Sequence, residues 1–129
     1  MDAVPSTAKK IIESYGGKSL HEQSHGESFL SLFLNRFRGN GFYILDEPEA
    51  ALSVQRQLTF VSRLHELVKN NSQFVMATHS PIILSYPNSI IYEIGECGLN
   101  IVKYEDTEQF QFMKLFVNNY PSILKRIMD

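Results

Sequence analysis

The sequence predicts an α/β fold, with parallel strands, flanking helices, and a C-terminal β-hairpin followed by helices. Three observations carry that expectation. Two short apolar runs, "FYILDEP" and "FVMATHSP", each stop abruptly at polar residues. An amphipathic stretch of helical spacing lies between them. A glycine-containing turn then separates two further strand-like runs near the C-terminus. Strand, helix, strand with buried strands implies a right-handed parallel crossover.

The elements follow in order. Met1 to Gln23 is polar and glycine-bearing and reads mostly as loop, with a short helix expected near Ala8 to Ser14. In "SFLSLFLNRF", Ser28 to Phe37, the apolar residues cover most of a helix circumference, so this helix should be largely buried. Arg38, Gly39 and Asn40 end it. Phe42 to Leu45 is a continuous apolar run, which suits a strand buried on both faces. Ser53 to Asn70 is an amphipathic helix through Val54, Leu58, Val61, Leu64 and Val68. "QFVMATHSP" is a second buried strand, after which Ser80 and Pro81 cap and open a short helix. "SIIYEIGECGLNIVKYED" reads as a hairpin turning at Gly95 to Gly98. Thr107 to Asn118 is a helix and Pro121 opens a last one; Phe112 and Phe116, four apart, read as core.

Composition narrows the function classes. The chain has 129 residues, enough for one domain with a real core, and 43% hydrophobic with 20% charged residues is an ordinary globular balance. A formal net charge of -2 gives no whole-chain attraction to nucleic acid or anionic membrane. The single cysteine, Cys97, permits no internal disulfide. No apolar run approaches the roughly 18 residues of a membrane span, and the N-terminus has no apolar signal region. A cytoplasmic protein is the expectation.

In open α/β sheets chemistry collects at the C-terminal ends of strands. Here those ends carry Asp46-Glu47 and Thr78-His79. A carboxylate at the tip of a buried strand costs several kcal/mol if unpaired. A bound Mg2+ is one partner for Asp46. Glu47 beside it is suited to orient or deprotonate an attacking water. His79 is suited to donate a hydrogen bond to a phosphate or to hold that water. The structural alternatives are an acid pair that caps the next helix and a hydrogen-bonded strand-end histidine.

"YILDEPEAALS" resembles the Walker B strand and D-loop of ABC-type ATPases, and "ATHSP" resembles their switch-histidine loop. The family's signature loop falls on Gln23-Ser24-His25-Gly26-Glu27, where the serine and the second glycine are kept. His25 stands in place of the first glycine, Glu27 in place of the glutamine, and Ser53 where transporter ATPases usually have aspartate. These departures make the chain more similar to SMC/RecF-like ATPases and the predicted AAA-type ATPases near them. The resemblance covers roughly Ser19 to the C-terminus.

It implies part of a P-loop NTPase fold, with residues 1–129 as the C-terminal part of one ATPase domain. It also implies ATP and Mg2+ as cofactors and roles for single residues. Asp46 would help hold Mg2+, Glu47 would polarise water, and His79 would contact the γ-phosphate. Ser24, His25, Gly26 and Glu27, with Ser53 of the D-loop, would meet nucleotide across a dimer. The implied partners are the N-terminal ATPase half and a second subunit; nucleic acid enters through the family alone.

The phosphate-binding half is the missing piece. "GGKS", Gly16 to Ser19, lacks the first glycine of G-x-x-x-x-G-K-[ST], whose position is Ile12, and no apolar strand precedes it. Two rivals stand beside the ATPase reading. "HEQSH", His21 to His25, matches the zinc protease pattern, but Ser24 and Glu27 form a capping box that starts a helix between the two histidines. A non-catalytic interaction module of ATPase ancestry would expose apolar surface, with Phe110, Phe112, Phe116 and Tyr120 as candidates. On the ATPase reading the 129-residue chain by itself shows weak or no ATP hydrolysis. A coupled phosphate-release assay with MgATP checks this, and sustained turnover would contradict it.

Overall fold

A computed structural model of the chain describes residues 25–129. The expectations for Ala8 to Ser14, for "GGKS", and for His21 to Ser24 lie outside the described residues. The protein is mixed α/β, with a small parallel sheet and an antiparallel hairpin. The chain divides into two compact units, Met1–Thr78 and His79–Asp129.

The first unit contains α1 (His25–Arg36), β1 (Phe42–Asp46), α2 (Val54–Lys69) and β2 (Gln73–Ala77). β1 and β2 pair in parallel, with Phe42 opposite Gln73 and Asp46 opposite Ala77. The crossover is α2, as the helical spacing predicts. Ser53 caps it, its hydroxyl accepting the Arg56 amide at 3.2 Å. At the other end Asn71 takes the left-handed conformation, φ 68°, that asparagine tolerates. The Ser72 amide then returns to the Leu67 carbonyl at 2.9 Å.

Aromatic rings fill this unit's core. Phe33 of α1 and Phe60 of α2 are fully buried and stacked, centroids 4.4 Å apart. Phe37 stacks on Tyr43 at 4.4 Å, and Tyr43 on Phe74 at 5.1 Å. The helices therefore meet the sheet on its Tyr43 and Phe74 face. The opposite face carries Phe42, Ile44 and Val75 at 60%, 39% and 50% exposure. The expectation of strands buried on both faces is corrected here. Successive strand side chains alternate in direction, and the rings of both packed helices gather on one side.

Polar groups close the connections. The C-terminal carbonyls of a helix have no partner within it. Arg63 of α2 supplies donors for those of α1, to the Phe37 oxygen at 2.8 Å and the Phe33 oxygen at 3.4 Å. The buried Ser72 hydroxyl donates to the Arg38 carbonyl at 2.7 Å and accepts the Gly41 amide at 3.2 Å. Gly39 is required where the α1–β1 connection passes the end of α2: a Cβ there would lie 2.7 Å from the Asn70 oxygen.

The second unit holds α3 (Pro81–Leu84), β3 (Ile91–Gly95), β4 (Gly98–Val102), a 3-10 turn (Tyr104–Asp106) and α4 (Glu108–Met128). Ser80 caps α3, accepting the Ile82 and Ile83 amides at 3.2 and 3.1 Å, and Pro81 opens it. β3 and β4 are antiparallel, with Gly95 opposite Gly98 across a two-residue turn. Gly98 has φ 102°, a conformation that favours glycine. Thr107, almost fully buried, caps α4 by accepting the Phe110 amide at 3.1 Å. Its hydroxyl also donates to the Tyr104 carbonyl at 2.7 Å. The Tyr104 hydroxyl donates to the Pro81 carbonyl, and its burial, with Glu105 nearby, raises its pKa.

α4 breaks at Asn119, φ −137°, two residues before Pro121, close to where the sequence ends one helix and opens the next. No residue of α4 is buried. Phe112 is 60% and Tyr120 52% exposed, which corrects the expectation that Phe112 is core. Phe112, Phe116 and Tyr120 instead lie along the helix with centroids 6.2 and 6.3 Å apart. Among the described residues no helix is long and apolar enough to cross a membrane.

The one-sided core gives a direct comparison. Phe33→Ala should cost about 3–5 kcal/mol, whereas Phe42→Ala, on the open face, should cost under about 1 kcal/mol. Urea denaturation of both variants measures the difference.

Candidate functional site

The site is built where β1 ends. Asp46 is its last residue and is exposed. The ladder runs one step further, because the Glu47 amide donates to the Ala77 carbonyl at 2.7 Å. Pro48 is buried and fixes the change of direction. Two turns follow: the Ala50 amide donates to the Glu47 carbonyl at 3.0 Å, and the Leu52 amide to the Glu49 carbonyl at 2.9 Å. Leu52 is buried, and its carbonyl accepts from the Gln57 side chain at 3.2 Å. Ser53 then starts α2, so this candidate residue acts as a helix cap.

Glu47 has φ 49° and Ala51 φ 63°. Among the described residues these are the positive-φ positions held by neither asparagine nor glycine. The left-handed region costs such residues roughly 1–2 kcal/mol. Strain of this kind persists where the surroundings over-determine the backbone, and it gathers at functional sites. Here the Ala77 contact and the two turns fix the backbone, while the Glu47 residue stays exposed.

A further link crosses to the end of β2. The Thr78 hydroxyl donates to the Glu49 carboxylate at 2.7 Å in a partly buried position. The sequence reading did not reach this pair. Its signal was the register: once Asp46 faces Ala77, the residues just beyond both strand ends share one rim.

Asp46, Glu47 and Glu49 place three carboxylates within four residues of this rim. Their oxygens are the donors a hard cation prefers. Among the described residues no three His, Cys, Asp or Glu side chains form a metal-holding group. A Mg2+ ion does not need one, since it commonly binds through one or two carboxylates together with phosphate oxygens and water. Asp46 fits that donor set.

The remaining candidates are distributed. His79 is exposed and opens the second unit, directly after Thr78. His25, Gly26 and Glu27 are the first three residues of α1. Ser24 lies outside the described residues. No family model, curated protein or solved structure matches the chain.

Replacing Glu47 by glycine relieves the left-handed strain of about 1–2 kcal/mol at an entropic cost of about 0.5–1 kcal/mol. Glu47→Gly should therefore be more stable than wild type by about 0.5–1 kcal/mol. Thermal unfolding tests this, and a lowered midpoint would contradict it.

Proposed function

We propose that the chain supplies the Walker B, D-loop and switch-histidine portion of an ABC-type ATPase of SMC/RecF-like kind. Its P-loop would come from residues outside this sequence. The observation that carries the reading is the parallel register of β1 and β2. It brings Asp46 opposite Ala77 and sends the "DEPE" turn and Thr78 off the same end of the sheet. The left-handed Glu47 adds support, since strained backbone of this kind gathers at functional sites.

In this proposal Asp46 holds Mg2+, which when bound offsets the charge of the phosphates. Glu47 orients water and accepts its proton as the water oxygen attacks the γ-phosphorus. The bond to the β-phosphate bridging oxygen breaks, and ADP and phosphate leave. His79 donates a hydrogen bond to a γ-phosphate oxygen. Ser24, Gly26 and the N-terminus of α1 meet the nucleotide of a second subunit, since exposed amides and the positive dipole end favour an anion. His25 either adds a positive contact there or weakens the loop, and Glu27 and Ser53 border the same nucleotide.

The second reading is a non-catalytic interaction module. It is favoured by the exposed apolar residues Phe42, Ile44 and Val75 in the first unit and Phe112 and Tyr120 in the second.

The reading frame upstream of Met1 decides whether a strand followed by G-x-x-x-x-G-K-[ST] completes the domain. In the completed ATPase, Glu47→Gln should lower kcat by about 10²–10⁴ while ATP still binds. Steady-state hydrolysis and equilibrium nucleotide binding measure the two arms. The module reading instead gives no turnover in either protein.

A further inference from the structure

We infer that Glu49 is a positioning residue: its carboxylate, held by the Thr78 hydroxyl, latches the turn that keeps Glu47 in its left-handed conformation. The catalytic consequence rests on the ATPase reading; the latch itself does not.

Three observations carry the inference. Glu47 sits in a backbone region that glutamate disfavours, so a neighbouring constraint must hold it there. Its amide bond to Ala77 and the Ala50 amide's bond to its own carbonyl fix both sides of the residue. The first of these bonds depends on the turn staying against the end of β2. Glu49 is a turn residue whose side chain reaches across, to Thr78, the next residue after Ala77. The same residue's carbonyl accepts the Leu52 amide, which starts the second turn. One side chain thus ties both turns to the neighbouring strand end. A hydrogen bond to a charged carboxylate is also the stronger kind, about twice a neutral one.

Amide hydrogen exchange of the 129-residue chain, followed residue by residue by NMR, tests the latch without nucleotide. Glu49→Leu and Thr78→Val should each speed exchange at the Glu47, Ala50 and Leu52 amides by about tenfold or more, while the buried α2 amides of Leu64 and Leu67 keep their wild-type rates. Glu49→Gln and Thr78→Ser keep an acceptor and a hydroxyl, and should stay within about threefold of wild type at all five amides. Unchanged loop exchange in Glu49→Leu would overturn the inference. So would equal acceleration at Leu64 and Leu67, which marks a general loss of stability, and so would failure of Thr78→Ser to preserve protection. In the completed ATPase, Glu49→Leu should lower kcat with the KM for ATP unchanged and Glu49→Gln should restore it. Loss of the ATPase reading would show instead as absent turnover in wild type, with the exchange pattern intact.

Discussion

The stack of Phe33 on Phe60 is the contact from which the first unit is built. Both rings are completely buried, and they hold α1 against α2. Phe33 also lies edge-on to Phe74 at 6.0 Å, which brings the helix pair onto the sheet. Because the rings are rigid and large, each has few ways to fit. Their position sets which face of β1 and β2 is covered. Arg63 depends on the same arrangement, since its guanidinium reaches the α1 carbonyls only while α2 lies alongside.

Local chemistry made much of the fold legible. Helical spacing and a serine cap marked α2 to within a residue at each end. Ser80-Pro81 marked α3, and the paired glycines marked the hairpin turn. These signals are carried by residues near one another in the chain, so no tertiary knowledge was needed. The apolar run Phe42 to Leu45 was misleading about burial for the opposite reason. A run of apolar residues says that two faces are apolar, but not that both are covered. Phe112 misled in the same way, because spacing alone does not supply a partner surface.

The candidate site was legible as residues and only partly as geometry. Asp46 and Glu47 announce themselves by following four apolar residues and preceding a proline. The left-handed backbone at Glu47 has no sequence signature, since glutamate is not a residue that asks for it. The Glu49 to Thr78 bond spans 29 positions and needs the parallel register before it can be seen. The signature-loop reading rests partly on Ser24, outside the described residues, so its geometry stays with the sequence.

Each sheet among the described residues has two strands, so every strand has a hydrogen-bonded neighbour on one side only. The outer backbone of β1 and of β2 is thus a template on which a further strand can form. Neither strand carries a proline or a lysine of the kind that blunts such edges. Extension from either side would leave the existing register of Asp46 and Ala77 undisturbed. The small parallel sheet can therefore grow by addition, with its rim of carboxylates already set before any new strand arrives.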